Sequence, residues 1–301
     1  MKSIIIDFTN LPLAEERHYD GASFKYAVHY KDEYYLVKTN SHKNGLNMFS
    51  EYIGSKIFHS VGIPTQEVML VKIDNEIAVA CKDFRPLTSS LYSFQERMIS
   101  VKSNNKNFSL EKTLDTIRIQ KFLPTKIVEK RFWDMFVVDT LIGNPDRHNG
   151  NWGFLYDPLK KEFMLAPVYD CGASLAPYLT EEMIIKIMVN KEQLKNIAYN
   201  QPPASLTYQN KTIIPNVFYK TYENNLLEES ILDIVPKINL KQINRIIDDT
   251  PAITENRKYF LKQLISLKKS LVLEPALNRA IKIKKEIPFT ISKPTGKGLE
   301  R

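Results

Sequence analysis

Short apolar runs, separated by polar residues, give the N-terminal part of the chain a β-rich pattern. Two pairs of such runs are each separated by two residues, at positions 31–32 and 74–75, which is the length of a tight hairpin turn. Between the pairs, Phe49, Ile53 and Ile57 recur at the three-to-four spacing of a helix. We predict strands at residues 23–30, 33–38, 66–73 and 76–81, one helix between the two pairs, and a further short strand at residues 4–8.

Farther along the chain the apolar spacing becomes helical. The strongest signal covers residues 125–143, where Phe132 and Phe136 belong to one apolar stripe. Thr180 suits the N-cap of a helix over residues 181–199, because its hydroxyl can accept a hydrogen bond from the first turn. Further helices are predicted at residues 223–235, 241–249, 255–273 and 275–285, and a polar loop at residues 200–210.

Together these elements predict an α+β fold with two lobes of unequal size. A small antiparallel β-rich lobe with one helix is expected over residues 1–83, and a larger, mainly helical lobe over residues 84–290. Residues 291–301 are expected to form a flexible basic tail. A cleft between two such lobes is a natural place for a ligand.

Composition narrows the class, and charge points to one end of the chain. Of the 301 residues, 43% are apolar and 25% are charged, so the chain is expected to fold around a core. The net charge is +8, and residues 255–301 hold 12 basic and 4 acidic residues, which leaves the rest of the chain neutral. Such an end can attract an acidic partner. Aromatic residues do not interleave with the basic ones, so specific nucleic-acid recognition is not expected.

Cysteine content and hydrophobicity exclude other classes. Cys81 and Cys171 are too few for a disulfide framework or a cysteine-based zinc site, and both are expected to be buried thiols. No apolar run approaches the roughly 18 residues of a membrane-spanning helix. The N-terminus becomes charged too early for a signal peptide, so we expect synthesis in the cytoplasm without a leader.

The most specific polar segment directly follows the helix predicted at residues 125–143 and contains Asp146 and Asn151, five positions apart. A second carboxylate, Asp170, comes just after a strand predicted at residues 163–168. Phosphoryl transfer needs one carboxylate that accepts the proton of the attacking hydroxyl, and it needs an amide oxygen and another carboxylate that hold magnesium. Asp146, Asn151 and Asp170 match these three roles in this order.

The β-rich lobe offers groups for the phosphates of a nucleotide. Lys38 ends a predicted strand, where its ammonium could reach phosphate oxygens, and Glu51 on the following helix could pair with it. The turn at Gly21, Ala22 and Ser23 precedes the first hairpin and could present backbone N–H groups to phosphate. The pattern G-x-x-x-x-G-K-[ST] does not occur, so this turn is not a Walker A loop.

These segments together resemble a known family. Residues 141–154 and 166–170 resemble the catalytic and metal loops of the HipA-like serine/threonine kinases, and residues 21–25, Gly-Ala-Ser-Phe-Lys, resemble their phosphate loop. The resemblance implies a two-lobed protein-kinase-like fold that uses ATP and Mg²⁺ to phosphorylate serine or threonine of protein substrates. It also implies autophosphorylation, and it suggests secretion and an effector role on host proteins.

Carried over position by position, the resemblance implies a role for each site residue. The implied roles are the catalytic base for Asp146, the metal ligands for Asn151 and Asp170, phosphate binding for Gly21, Ala22, Ser23 and Lys38, support of the lysine for Glu51, and adenine binding through backbone groups for the hinge around Lys82 and Phe84.

Two features depart from the familiar patterns. Residues 17–20 contain no serine, whereas toxin members of the family can be switched off by phosphorylation of a serine at this place. The order Asp146-Arg147-His148 is the reverse of the His-Arg-Asp order of ordinary protein kinases. Three other functions stay open on the sequence: a phosphotransferase for lipids or small molecules with the same core, a nucleotide-binding scaffold without catalysis, and a basic nucleic-acid binder.

Overall fold

The computed structural model describes residues 5–17, 25–39, 46–86, 88–99 and 109–286. The predicted phosphate-loop residues Gly21, Ala22 and Ser23 and the predicted tail at residues 291–301 therefore lie outside the described residues. The strands are β1 (Ile6–Asp7), β2 (Lys25–Tyr30), β3 (Glu33–Lys38), β4 (Val68–Ile73), β5 (Glu76–Lys82), β6 (Ser90–Ser93), β7 (Gly153–Asp157), β8 (Glu162–Leu165), β9 (Thr207–Tyr208) and β10 (Lys211–Thr212).

Helices make up most of the remaining described chain. They are α1 (Asn47–Ser60), α2 (Phe94–Ile99), α3 (Leu110–Ile119), α4 (Thr125–Ile142), α5 (Glu181–Val189), α6 (Lys191–Asn200), α7 (Pro215–Thr221), α8 (Asn225–Ile234), α9 (Leu240–Asp248), α10 (Glu255–Lys268) and α11 (Glu274–Glu286). A 3₁₀ turn (Val235–Lys237) follows α8, and a π-helical segment (Lys269–Leu273) joins α10 to α11. The predicted α+β class is confirmed.

A five-stranded sheet forms the N-terminal part, in the order β1-β4-β5-β3-β2. Its pairs are antiparallel except β1 with β4, which is parallel. Both predicted hairpins occur, and all four turn residues at positions 31–32 and 74–75 have positive φ, as a two-residue turn that matches the twist of the strands requires. The register places Lys38 opposite Val79 and Leu36 opposite Cys81.

Helix α1 is the one helix predicted between the hairpins, and it packs against β4 and β5. Ile53, Ile57 and Phe58 are at most 1% exposed, so one face of α1 is fully buried. Their cluster continues without a break into the buried residues of the C-terminal helices. A second, smaller core lies around Phe8 and Val37. The position of α1 is therefore determined by packing against both parts of the molecule.

The C-terminal part is organised around α4, which buries twelve of its residues and packs against α8. Gly143 ends α4 with a positive φ of 61°, a conformation that glycine adopts at little cost. The chain then passes through residues 144–152 into β7, which pairs with β6 and β8 in a three-stranded sheet. After β8, backbone hydrogen bonds of Val168 with Pro64 and Gln66 hold the chain next to the start of β4 in the five-stranded sheet.

The predicted helix over residues 181–199 is wrong as a single element. It is two helices, α5 and α6, separated at Asn190, whose side chain accepts a hydrogen bond from the N–H of Gln193 and so caps α6. Thr180 caps α5 as predicted. The predicted helix over residues 255–273 is α-helical only to Lys268 and π-helical over Lys269–Leu273, and it continues into α11 without the expected break before Pro275.

The sequence analysis did not predict strand β6 or helices α2, α3 and α7. It also missed the small hairpin of β9 and β10, which begins inside the predicted loop over residues 200–210. Within the described ranges, no helix combines the length and the hydrophobicity of a membrane span.

Candidate active site

Lys38 lies at the end of β3 between two carboxylates. Its Nζ donates to Glu51 Oε2 at 2.7 Å and to Asp170 Oδ1 at 3.2 Å. Strand alternation turns Lys38 toward α1, whose second turn carries Glu51 on its buried face. The fold therefore joins three residues from a strand, a helix and a distant loop, and Lys38 and Asp170 are 132 positions apart in the sequence.

Glu51 also contacts the segment that contains Asp170. Its side chain is 0% exposed, and its Oε1 accepts a hydrogen bond of 3.0 Å from the N–H of Cys171. The Glu51 carboxylate thus accepts hydrogen bonds both from Lys38 in the sheet and from the backbone next to Asp170. Helix α1 cannot shift without breaking both contacts.

The charges of this cluster stabilise one another. Burial disfavours the charged lysine, but Asp170 and Glu51 raise the pKa of Lys38 well above its ordinary value. The ammonium of Lys38 in turn lowers the pKa of Asp170, against the opposing effect of burial. Near neutral pH both groups are therefore charged.

The α4–β7 loop carries Asp146 and Asn151. Asp146 is exposed, whereas Asn151 is buried and its Nδ2 donates to the backbone oxygen of Asp146 at 3.1 Å. Desolvation, with a contribution from the negative charge of Asp170, raises the pKa of Asp146. A higher pKa makes the carboxylate a better proton acceptor than an ordinary aspartate.

Internal hydrogen bonds hold this loop in shape. His148 Nδ1 accepts from the N–H of Gly150 at 2.9 Å, and Asn149 Nδ2 donates to the hydroxyl of Thr113 on α3 at 2.9 Å. Trp152 Nε1 donates to Asn149 Oδ1 at 3.1 Å. These contacts assign His148 and Asn149 to bracing of the loop.

Asp170 has a left-handed backbone conformation, with φ of 60°. This is uncommon for a residue other than glycine and costs free energy. The neighbouring Tyr169 is anchored by its hydroxyl, which donates to the backbone oxygen of Gly150 at 3.0 Å. The conformation of Asp170 is therefore supported by its neighbours rather than by local preference.

These side chains surround a cleft with a volume of about 310 Å³. Leu36, Phe84 and Tyr169 contribute apolar surface, and the Phe84 and Tyr169 rings are 5.7 Å apart. Charged and polar groups surround the rest. The residues that line it are Leu36, Lys38, Gln66, Asp83, Phe84, Arg85, Leu91, Ser93, Glu96, Gly150, Asn151, Tyr169 and Asp170.

The structure brings most of the predicted site residues together. Lys38, Phe84, Asn151 and Asp170 line the cleft, Glu51 lies buried behind Lys38, and Asp146 is held to Asn151. Lys82 does not line it.

Lys82 lines an adjoining pocket of about 360 Å³, and its side chain pairs with Glu33 at 2.9 Å. Both backbone groups of Lys82 also have protein partners, because its N–H donates to the backbone oxygen of Glu67 and its carbonyl oxygen accepts from Gln66 Nε2. The backbone next to the cleft is therefore that of residues 83–85.

Sequence reasoning missed several residues around the cleft. Asp83 is buried and accepts hydrogen bonds from the Arg85 side chain at 2.8–3.2 Å, while Arg17 Nη1 lies 3.4 Å from the same carboxylate. Gln66 reaches the hinge from the start of the second hairpin. None of these residues stands in a recognisable spacing. Arg147 is different, because it lies inside the motif and could have been chosen from the sequence.

Comparison with known proteins gives consistent matches. The family model of the HipA-like C-terminal domain matches residues 18–238. The serine/threonine-protein kinase CtkA of Helicobacter pylori is 37% identical over 292 residues, which cover 92% of this chain and 89% of the relative. A crystal structure of the Helicobacter pylori proinflammatory kinase CtkA has a TM-score of 0.87 at 36% identity, and the match covers 93% of this chain and 99% of that chain.

A more distant match extends the similarity of fold. HipA from Shewanella oneidensis, in its toxin–antitoxin complex with HipB and operator DNA, has a TM-score of 0.54 at 12% identity. The match covers 89% of this chain and 70% of that chain. At this identity the likeness concerns the fold alone.

Proposed function

The chain belongs to the family of the HipA-like C-terminal domain and is a kinase, and we propose that it transfers the γ-phosphoryl group of ATP to serine or threonine hydroxyls of proteins. The kinase class rests on the relative at 37% identity over most of the chain. What we propose beyond this class is the hydroxyl acceptor, the nucleotide, the metal and the role of each residue.

One observation carries it: Lys38, Glu51 and Asp170 converge in a single charged cluster at the cleft that Asn151 also lines. One carboxylate would be enough to balance the charge of Lys38. The second carboxylate, Asp170, is therefore available to bind a cation while Lys38 contacts phosphate.

The donor atoms fit magnesium, a hard cation that prefers oxygen ligands. The side-chain nitrogen of Asn151 donates to the backbone oxygen of Asp146, and Asn151 Oδ1 accepts no hydrogen bond from the described residues, so this oxygen can bind a cation. Asp170 is 43% exposed in its side chain and shares Oδ1 with Lys38. When bound there, Mg²⁺ would neutralise charge on the transferred phosphate.

The protein's own groups account for binding and proton transfer. Lys38 would bind phosphate oxygens, and Asp146 would orient the acceptor hydroxyl and accept its proton. Leu36, Phe84 and Tyr169 would enclose the adenine ring. Among the described residues the N–H of Phe84 has no acceptor, so it is available to an adenine nitrogen.

The rest of the proposal comes from the family resemblance. Gly21, Ala22 and Ser23 would contact the phosphates through backbone N–H groups. Autophosphorylation and an effector role on host proteins are predictions of the same origin. An acidic partner for the basic C-terminal end is a further prediction from charge.

The proposal is tested with Asp146→Asn and Asp170→Asn, assayed with radiolabelled ATP and Mg²⁺ and followed by phosphosite mapping. We expect Asp146→Asn to lose at least about 100-fold in phosphate transfer, the scale on which acid–base catalysis contributes. Asp170→Asn is expected to lose most of its phosphate transfer as well, because the amide carries no charge to hold Mg²⁺. Asp146 is exposed, and Asn151 contacts its backbone oxygen rather than its carboxylate, so Asp146→Asn is expected to unfold at nearly the wild-type temperature. Asp115→Asn, at an exposed pair on α3, is the matched control.

Each outcome separates the proposal from its rivals. Full phosphate incorporation by a folded Asp146→Asn or Asp170→Asn variant would contradict the assigned roles. Labelling of phosphoinositides or aminoglycosides but not of proteins would establish the small-molecule or lipid alternative. Nucleotide binding with no turnover by the wild type would establish a scaffold.

A further inference from the structure

Arg147 has no role in the proposal above, although it follows Asp146 directly. Its side chain is only 5% exposed, which is unusual for arginine unless every polar group has a partner. Its guanidinium contacts three separate parts of the chain: α4, the α4–β7 loop and the segment around Asp170. The Phe58 ring of α1 lies 5.9 Å from its Cζ atom.

The partner on α4 is Asp139, which is 0% exposed. Arg147 Nε donates to Asp139 Oδ2 at 2.8 Å, and Nη2 lies 3.4 Å from Oδ1. Asn144 Nδ2 donates to the same Oδ1 at 3.2 Å. Two contacts from a planar guanidinium determine its orientation, which a single ammonium could not do.

The third nitrogen of the guanidinium points at the backbone of both predicted metal-binding segments. Arg147 Nη1 donates to the carbonyl oxygen of Asn151 at 2.8 Å and to the carbonyl oxygen of Tyr169 at 2.6 Å. The first oxygen belongs to one predicted metal ligand, and the second belongs to the residue before the other, Asp170. One atom therefore limits how far the two segments can separate.

The contact at Tyr169 also bears on the strained conformation of Asp170. On one side of Asp170 the carbonyl of Tyr169 is held by Arg147, and on the other side the N–H of Cys171 is held by Glu51 at 3.0 Å. Two buried side chains of opposite charge thus hold both flanking peptide groups. A residue with φ of 60° needs such external support, because its own preference opposes it.

We propose that Arg147 is a positioning residue that keeps Asn151 and Asp170 at the separation a divalent cation requires, by bridging their backbones with a guanidinium oriented by Asp139. The inference rests on the proposed function, since it assumes that these two residues bind the metal. If Arg147 has this role, replacing both Asp139 and Arg147 by neutral residues weakens metal binding but leaves folding largely intact.

The test uses variants that separate stability from geometry. The double variant Asp139→Asn with Arg147→Met removes both buried charges, so neither is left without its partner, and the amide oxygen introduced at position 139 can still accept from Asn144. Replacing a buried ion pair by neutral groups is often tolerated by the fold. Arg147→Lys keeps the charge and loses the bridge. Asp115→Asn with Arg118→Met, at an exposed aspartate–arginine pair, is the matched control.

Two readouts are measured on each full-length variant. The first is the dissociation constant of Mn²⁺ by electron paramagnetic resonance, in the presence of a non-hydrolysable ATP analogue. The second is the Mg²⁺ concentration that gives half-maximal phosphate transfer. Melting temperatures report folding. We expect both metal values to rise about 10- to 100-fold in the double variant and in Arg147→Lys, the usual effect of losing a group that orients a metal ligand.

Wild-type metal values in the folded double variant would overturn the inference, because they would show that the pair contributes to folding alone. Wild-type values in Arg147→Lys would overturn the bridging geometry, because the positive charge would then be sufficient. If the double variant fails to unfold cooperatively, Arg147→Lys decides alone. Failure of the wild type to bind Mn²⁺ with the nucleotide analogue would instead contradict the proposed function.

Discussion

At the scale of single residues, the site depends on side chains that each make hydrogen bonds to two partners. Glu51 accepts from Lys38 and from the N–H of Cys171, and Lys38 donates to Glu51 and to Asp170. Removing one such group leaves a buried neighbour without its partner, which costs more than an ordinary hydrogen bond contributes. The same property makes these residues sensitive to conservative substitution.

Glu51→Gln is the corresponding prediction. The glutamine has nearly the same volume and can still accept from Cys171, but it carries no charge for Lys38. We expect kcat/KM for ATP to fall about 10- to 100-fold, because a misplaced catalytic group has an effect of this size. Steady-state kinetics measure it. Glu229→Gln, at a half-exposed acid of α8, is the control, and unchanged kinetics in Glu51→Gln would refute the supporting role of Glu51.

At the scale of elements, α1 and the segment after β8 approach each other at Gly54. A Cβ atom at this position would lie 2.8 Å from Cys171 Cβ and 3.1 Å from Ser174 Oγ. Because Gly54 has no side chain, the backbone of α1 can lie directly against the side chains of Cys171 and Ser174. This contact sets the distance from Glu51 to Asp170, since both elements carry one of these residues.

Gly54→Ala tests the importance of that contact. Alanine gains about 1 kcal/mol over glycine within a helix, but overpacking of a buried site costs about 1–3 kcal/mol. We expect the clash to exceed the gain, so that the free energy of unfolding falls and phosphate transfer falls with it. Urea denaturation and kinetics measure the two effects. His59→Ala, on the exposed side of α1, is the control, and a fully active, more stable Gly54→Ala would contradict the argument.

At the scale of the whole molecule, the basic C-terminal region is partly neutralised by the rest of the chain. Arg257 pairs with Glu181 at 3.2 Å and Arg279 with Glu223 at 3.0 Å. Lys268 is buried completely and donates to the backbone oxygen of Thr140 at 3.3 Å. Burial lowers the pKa of Lys268 from 10.5 to about 7.

From the lowered pKa of Lys268 we predict an unusual pH dependence of the free energy of unfolding. Between pH 7 and 10.5 the unfolded chain binds a proton at Lys268 that the folded chain does not, so the free energy of unfolding rises with pH in this range. Below pH 7 the full cost of the buried charge is present. We expect Lys268→Met to be more stable than the wild type at pH 6, by at most about 5 kcal/mol, and this difference to shrink toward pH 10.

Urea denaturation of both proteins from pH 6 to pH 10 measures the difference. Lys262→Met, at a lysine of α10 that pairs with Asp248, is the control and should show no such trend. A difference between the wild type and Lys268→Met that is constant over this pH range would contradict the buried charge.

Local pattern determined a large part of this protein. The short apolar runs of the strands, the hairpin turns, and the apolar stripes of α1 and α4 involve residues close in sequence, so these elements and the α+β class were predictable. The single helix over residues 181–199 was not, because the side chain of Asn190 competes as a cap for α6. Lys38, Glu51, Asn151 and Asp170 were predictable as residue types at characteristic positions.

The sequence by itself determined which chemical groups are present and on which elements they lie. Only the tertiary structure decided their partners: Lys38 between two carboxylates, Arg147 between two backbone segments, and Lys268 in the core with no counter-charge among the residues that the structure describes. The reason is that helices and strands form through contacts over a few residues, whereas these pairings join positions up to 132 residues apart. Their geometry results from the packing of whole elements, which no local pattern records.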